Sequence, residues 1–287
     1  MANLYIGTCS WKYDSWRGLV YSENPKINYL KEYSQQFNTV EIDQWFWSLF
    51  PNNKVTLPDP KVVRTYNLSV PDDFKFSIKM PNSLTLTHFY QKKKSDPLIA
   101  NQNFFSQELM DQFLMNIYAF GEKTGPLMFQ FEYLNKLKMK SQFEFQILSA
   151  DFIKKCPPDF NYAFEIRNPN YLNKSYFEFI NENNIAHVFL EGYFMPSIIE
   201  LYQKYSEHIK NLVVIRLHGP DRKGIEEKTG GDWSEIVEPK DEAISKIVEM
   251  IIDMLSKEVD IYLNVNNHYE GCAPKTIEKF KKLLSQV

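Results

Sequence analysis

The sequence predicts an α/β fold, a single (β/α)8 TIM-type barrel of parallel strands over residues 1–287. Three observations predict it. Eight short apolar runs alternate with stretches of helical spacing, the pattern of a parallel sheet with right-handed crossovers. No run is followed by the Gly-x-Gly-x-x-Gly turn of an open dinucleotide-binding sheet. Within most runs one side-chain parity is apolar and the other turns polar late in the strand, as a barrel with a polar mouth requires.

The strands are expected at Leu4–Cys9, Thr39–Trp45, Lys75–Lys79, Leu127–Gln130, Tyr162–Arg167, Ala186–Glu191, Leu212–His218 and Ile261–Asn266. Helical stripes lie between them. Phe105, Leu109, Phe113, Ile117 and Phe120 recur at steps of three and four, and Ile244, Ile247, Val248, Ile251, Ile252 and Leu255 form a second stripe. The last helix opens at Pro274, whose fixed φ suits a first turn, and buries Ile277, Phe280 and Leu284. Pro81–Asn101 and Gly219–Pro239 read as irregular. Both follow strands, so in a barrel they belong to the functional face. No Pro/Gly/Ser-rich linker divides the chain, which predicts one domain.

Bulk composition narrows the class. The 287 residues are 44% hydrophobic and 15% aromatic, enough for a large core, and α/β barrels commonly reach about 250 residues as one unit. A formal net charge of -3 gives no global attraction to nucleic acid or an anionic membrane. The three cysteines, Cys9, Cys156 and Cys272, are too scattered for a disulfide scaffold or a clustered zinc or iron–sulfur site. The opening MANLYIGTCSW lacks a basic region followed by an apolar run, and no stretch reaches the roughly 18 apolar residues of a membrane span. A soluble, cytoplasmic protein without membrane association is expected.

Parity within the strands locates a site. Val40 and Ile42 share one face of the second strand, Glu41 and Asp43 the other. The third strand sets Phe76 and Ile78 against Ser77 and Lys79, and the fourth sets Phe129 against Gln130. The fifth sets Phe164 and Ile166 against Glu165 and Arg167; the sixth, Val188 and Leu190 against His187 and Glu191. The seventh sets Ile215 and Leu217 against Arg216 and His218; the eighth, Leu263 and Val265 against Asn264 and Asn266. Helices cover the outside of a barrel, so the apolar sets are expected outward and the polar sets in the lumen. They should gather at the C-terminal mouth, where barrel enzymes keep their sites. Buried charges there must pair with each other or with a ligand. An internal ion-pair lattice that closes the barrel and binds nothing is the competing reading. Barrel lumens are usually filled with branched apolar side chains, so a polar lumen favours a site.

Aromatic residues crowd the same end. The first strand runs into Ser10-Trp11-Lys12-Tyr13-Asp14-Ser15-Trp16-Arg17-Gly18 and the second into Trp45-Phe46-Trp47. Trp11, Tyr13 and Trp16, with Arg17, offer flat faces and a cation to a sugar or base. Capping of the barrel core is the equal alternative for Trp11 and Trp16, and the expected role of Trp47. Arg216-Leu217-His218-Gly219 closes the seventh strand, and Asn264, Asn266, Asn267 and His268 close the eighth, where this fold often binds phosphate. The helix after Ala273-Pro274 can aim its N-terminus at the same place. Lys92-Lys93-Lys94 reads as a solvated loop face.

With these residues in view, the chain resembles the YecE-like family, also called domain of unknown function seventy-two. The resemblance rests on Gly7-Thr8-Cys9-Ser10-Trp11-Lys12-Tyr13 with Trp16-Arg17-Gly18, Val40-Glu41-Ile42, Phe76-Ser77-Ile78-Lys79 and Thr87-His88. It continues through Leu127-Met128-Phe129-Gln130, Phe164-Glu165-Ile166-Arg167, Arg216-Leu217-His218-Gly219 and Asn266-Asn267-His268 with Gly271 and Ala273. It implies a TIM-type barrel with its site at the mouth, and no reaction, since the family has no agreed activity. The chain departs from the family's Asn-Ser-Thr-Phe-Tyr with Asp43-Gln44-Trp45-Phe46-Trp47, and from its Leu-Pro-Pro turn with Phe131-Glu132-Tyr133. Glu191 stands for the strand-six aspartate, and Asp221–Trp233 rewrites the Arg- and Tyr-rich strand-seven loop. These departures bear on substrate preference.

The functional expectation is an enzyme, a hydrolase or lyase, using acid–base chemistry on a phosphate-bearing or sugar-like substrate. Glu41, Glu165, His218 and Lys79 form the catalytic set, with Glu165 and Glu41 as acid and base and their pKa values separated by Arg167 and Lys79. The binding set is Trp11, Tyr13, Trp16, Arg17, Asp43, His88, Gln130, Arg167, Arg216, Asn264, Asn266 and Asn267. Arg216, His218 and Asn266 hold the anionic part or stabilise developing charge. A small anionic or sugar-like ligand is the expected partner. Two alternatives stay open. One is a metal-dependent hydrolase or nuclease-like barrel, for which carboxylates and His218 with His88 or His268 are the right ligand types. The other is a non-catalytic nucleic-acid or nucleotide binder. A divalent metal is the less favoured cofactor, because neither His-x-His nor His-Glu-x-x-His occurs. No cofactor is otherwise assigned. A serine or cysteine nucleophile is not expected, since no Gly-x-Ser-x-Gly is present and Cys9 has no evident histidine partner.

Overall fold

The computed structural model describes residues 2–91, 93 and 95–286, so Lys92 and Lys94 of the lysine run lie outside the described residues. One parallel sheet is built from β1 Leu4–Thr8, β2 Thr39–Ile42, β3 Lys75–Lys79, β4 Thr124–Gln130, β5 Tyr162–Glu165, β6 Ala186–Gly192, β7 Leu212–Gly219 and β8 Asp260–Val265. Its order, β1-β8-β7-β6-β5-β4-β3-β2, follows the chain around a circle. The ring closes between β1 and β2 through a single bridge from Cys9 to Glu41, where the Ser10 N–H donates to the Glu41 carbonyl at 3.0 Å. The fold is the TIM-type barrel that the alternation predicts.

The closing seam has its cause in one residue. A Cβ on Gly7 would fall 1.9 Å from the Thr39 carbonyl oxygen, so only glycine lets β1 lie this close to β2. The Tyr33 hydroxyl ties the same strands, accepting from the Thr8 N–H at 2.8 Å and donating to the Thr39 carbonyl at 3.0 Å. On the neighbouring strands β6 and β7, Gly192 (φ 121) packs on the backbone of Gly219 (φ 76) where the register shifts.

Ten helices among the described residues surround the sheet: α1 Tyr29–Tyr33, α2 Pro60–Ser69, α3 Asn82–Thr85, α4 Gln107–Ile117, α5 Gln142–Ile153, α6 Lys174–Glu182, α7 Ile198–Tyr205, α8 Arg222–Thr229, α9 Asp241–Ser256 and α10 Ala273–Leu284. Ser106, Ser141 and Asn173 cap α4, α5 and α6 by accepting from N–H groups of the first turn. The two expected apolar stripes fall in α4 and α9, although Phe105 and Phe120 lie just outside α4. The stretches read as irregular contain α3 and α8. Helix α8 escaped notice because it is polar nearly all round, held by the Asp221 cap and by Arg222–Glu226 and Lys223–Glu227 pairs. No helix among the described residues is long and apolar enough to cross a membrane.

Two apolar cores result. The larger lies between sheet and helices, and the smaller plugs the lower lumen with Met128, Ala163, Val188, Leu212, Val214 and Tyr262. The plug corrects the parity expected for the sixth strand. Val188 belongs to the lumen, while His187 faces the helices, 3.2 Å from the Tyr176 hydroxyl and edge-on to Phe177 and Phe189. Glu191 also points outward, accepting from the Ile198 N–H at the start of α7 at 3.2 Å. With Val188 and Leu190 on one face and Phe189 on the other, this strand carries no alternation to read.

Candidate active site at the mouth of the barrel

Above the apolar plug, side chains from three strands meet on Arg216 of β7, which is 3% exposed. Its Nε donates to Glu41 Oε2 at 2.8 Å and its Nη2 to Glu41 Oε1 at 2.6 Å, a two-pronged pair. Its Nη1 donates to Glu165 Oε2 and, at 3.4 Å, to Gln130 Oε1. Arg167, two residues past Glu165 on the loop after β5, donates from Nε to Glu165 Oε1 at 2.6 Å and from Nη2 to Gln130 Oε1 at 3.1 Å. Two carboxylates thus answer two guanidiniums, and the lattice is charge-matched by itself. Burial raises the Glu165 carboxyl, but Arg167 and Arg216 outweigh it and hold it at about 2.

Two titratable groups stand beside this lattice. Lys79, at the end of β3, is half-buried with Nζ 3.7 Å from the centre of the Phe46 ring. Among the described residues no carboxylate oxygen comes within 4.0 Å of that amine. Burial, and then the Arg216 charge, bring it down to about 8. Asp43, just past β2, moves the opposite way, its carboxyl raised by burial and then by Glu41. Tyr13 joins them, its hydroxyl donating to the Cys9 carbonyl at 3.5 Å and pushed up by burial and by Asp43. Asn264, fully buried and flanked in register by Gly7 and Arg216, keeps both amide atoms without a partner among the described residues, as does the Ser77 hydroxyl.

His218 places Nδ1 3.1 Å from the Tyr193 hydroxyl and Nε2 3.7 Å from Cys9 Sγ, and the thiol donates to Glu41 Oε2 at 3.5 Å. Cys9 therefore has the histidine neighbour that the sequence did not show, 209 residues away. The pair is not an activated nucleophile. Burial and then Glu41 push the thiol up, while burial and then Arg216 push His218 well below its ordinary value, so both are neutral.

Several expected site residues lie elsewhere. Trp16 is fully buried and donates from Nε1 to the Trp233 carbonyl at 3.1 Å, and buried Trp11 packs edge-on to Tyr66. Arg17 donates to the Ser22 and Asn24 carbonyls at 2.9 and 2.8 Å and to the Tyr29 hydroxyl at 2.8 Å, pinning its own loop. Trp47, expected in the core, is 65% exposed because its loop turns Phe46 inward instead. His88 pairs with Thr87 Oγ1 at 2.9 Å, away from the lattice. Asn266 accepts from the His268 N–H at 3.0 Å, and Asn267 accepts from the Ala273 N–H at 2.9 Å, anchoring α10. Arg216 was expected to hold an anion, yet each of its three nitrogens already meets a carboxylate. Among the described residues no three of His, Cys, Asp and Glu converge as a metal ligand set.

One part of the mouth was not anticipated. A cleft of about 520 Å³ opens beside Gln130 and Arg167, walled by Phe131, Glu132, Tyr133, Pro169, Tyr193, Phe194 and Met195. The available signal was Gly192-Tyr193-Phe194, a glycine followed by two aromatics at a strand end.

Comparison with known proteins agrees with this architecture. The family described as protein of unknown function DUF72 matches residues 5–287. The UPF0759 protein YecE of Escherichia coli K12 is 26% identical over 173 residues, covering 60% of this chain and 51% of that protein. The match thus spans about half the length of that curated relative. A solved DUF72 family protein of Thermotoga maritima superimposes with a TM-score of 0.68 at 21% identity, covering 99% of both chains. One from Enterococcus faecalis gives 0.67 at 18%, covering 98% of this chain and 95% of that one. At such identities the likeness is one of fold.

Proposed function

The chain belongs to the DUF72 family, and from that premise we propose that it is an enzyme working by acid–base chemistry on a small anionic substrate, phosphate-bearing or sugar-like, at the mouth of its barrel. The observation that carries this reading is Lys79. Its amine sits half-buried beside a lattice whose charges already match, with no carboxylate within 4.0 Å among the described residues. At about 8, roughly a tenth of it is neutral at pH 7, enough to take a proton and return it. Asp43, displaced upward, is the complementary acid. Glu165 and Glu41 act differently from the acid and base that residue types suggest. Glu165 at about 2 stays ionised between two arginines, and Glu41 is gripped on both oxygens, so they fix Arg216 and set the local field. Arg167, 19% exposed, has no bond on Nη1 among the described residues and is the group placed to take an anion.

A thermal-shift screen of the purified protein against sugar phosphates, nucleotides, short oligonucleotides and divalent ions, followed by turnover assays of the binders, tests the proposal. A phosphate-bearing or sugar ligand should stabilise the protein and be turned over, with a rate that bends near pH 8. Lys79→Met should abolish turnover and keep binding. Undiminished turnover in Lys79→Met overturns the role of the amine. A shift from oligonucleotides alone, weakening steeply with salt, transfers the site to a nucleic-acid binder.

A further inference from the structure

We infer that the cleft beside Arg167 is a ring-binding subsite, in which a flat-faced ring lies against Phe194 and Tyr133 while its anionic substituent rests on Arg167. The inference rests on the reading of the mouth as a substrate site and adds what that substrate must carry.

Four observations lead to it. First, Phe194 is 97% exposed and Tyr133 61% exposed, on the loops after β6 and β4, and both wall the same cleft. Second, the backbone is strained to present Phe194. Tyr193 and Phe194 both hold left-handed φ values, 52 and 63, which non-glycine residues adopt at a cost. A side chain left in water returns nothing to folding for that cost, so folding does not explain Phe194. Third, the cleft ends on a cation that is held flat and only partly used. The Arg167 guanidinium lies 4.8 Å from the Tyr193 ring centre, and the Tyr193 hydroxyl is fixed by His218 at 3.1 Å. Its Nε and Nη2 go to Glu165 and Gln130, and Nη1 has no bond among the described residues. Fourth, the acid in the wall does not repel that anion, because Glu132 is paired with Lys138. Aromatic faces lining the same cleft as a guanidinium suit a ring and an anion in one small molecule.

Calorimetric titration of the whole chain with phenyl phosphate, glucose 1-phosphate and inorganic phosphate tests the subsite. Phenyl phosphate supplies an aromatic ring, glucose 1-phosphate a sugar ring, and inorganic phosphate none. At least one ring phosphate should bind about tenfold more tightly than inorganic phosphate, the scale of one stacking contact. Phe194→Ala and Tyr133→Ala should remove that advantage while leaving inorganic phosphate binding and the melting temperature unchanged. Which ring phosphate gains says whether the ring is aromatic or sugar. The subsite is overturned when neither ring phosphate outbinds inorganic phosphate, when Phe194→Ala leaves the gain intact, when that variant unfolds at lower temperature, or when none of the three binds at millimolar concentration. Failure here with turnover still lost in Lys79→Met removes only the subsite. Turnover surviving in Lys79→Met removes the catalytic reading and leaves the ring gain measurable.

Discussion

Arg216→Met keeps most of the side-chain stem and removes the fork on which the mouth is built. Glu41 then loses both of its short hydrogen bonds, while Glu165 loses one cation and keeps Arg167. Breaking a buried pair from one side leaves a charge without its partner and costs about 3–5 kcal/mol. The Glu165 carboxyl gives an independent scale. Held at about 2 against an unfolded value near 4.3, it contributes about 3 kcal/mol, an upper figure because Arg167 supplies part of it. The sign follows from the direction of the shift. A depressed carboxyl stabilises the fold above its unfolded value, and that stability is lost as pH falls through the folded one. The native protein should therefore weaken below about pH 4. In Arg216→Met, acid neutralises carboxylates that have lost their cation, so the gap between the two proteins should narrow. Urea unfolding of both at pH 7 and pH 4.5 measures this. The expected result is a loss of about 3–5 kcal/mol at pH 7 that shrinks by 1 kcal/mol or more at the lower pH. A loss under about 1 kcal/mol, or one that ignores pH, would refute the claim that the lattice is a mutually dependent buried network. The double variant Glu41→Leu with Arg216→Met removes both partners and should recover part of the loss.

Two further outcomes follow from the same geometry. Gly7→Ala drives a Cβ onto the Thr39 carbonyl, a backbone atom that no rotamer change can move, and should cost about 1–3 kcal/mol or more in thermal unfolding; an unchanged melting temperature would remove the account of the closing seam. Lys79→Met should stabilise the protein at neutral pH, because a Lys with a lowered folded value is penalised in its charged form; the penalty is complete below about 8 and gone above the unfolded value near 10.4. Discounted for partial solvent access, the gain is about 1–3 kcal/mol at pH 7 and near zero at pH 10.5, and a gain that persists at pH 10.5 contradicts the burial argument.

The strands were legible because their outward faces must be apolar to meet helices, and that demand is written residue by residue. Phe76 and Ile78 against Ser77 and Lys79 gave β3 its full range. The same rule placed Glu41, Glu165, Arg216 and Asn264 in the lumen. It failed at β6, where the lumen plug requires Val188 and the helix face carries Phe189, so both parities are apolar. Contacts across the barrel left no local trace. Trp16 is claimed by the Trp233 carbonyl 217 residues away, and Cys9 lies beside His218 at 209, so one tryptophan expected at the rim instead ties its loop to a distant one. Residue types announced a carboxylate–arginine site, but only geometry shows that both carboxylates are consumed by the arginines.

That consumption bears on the two readings of a polar lumen. A lattice that binds nothing would end at Glu41, Arg216, Glu165 and Arg167, where charge balance and hydrogen bonding are already met. The mouth carries more than this. Lys79 and Asp43 are held half-buried, each displaced towards neutrality, without closing on each other within 4.0 Å. Beyond the contact of Lys79 with the Phe46 ring, two such groups forgo Coulomb energy by staying apart in a partly dry site. Their separation costs stability unless a third party bridges them. On the proposed reading the lattice is the rigid frame, and the groups it leaves unmatched, with Arg167 and the exposed rings beside it, are where a ligand would act.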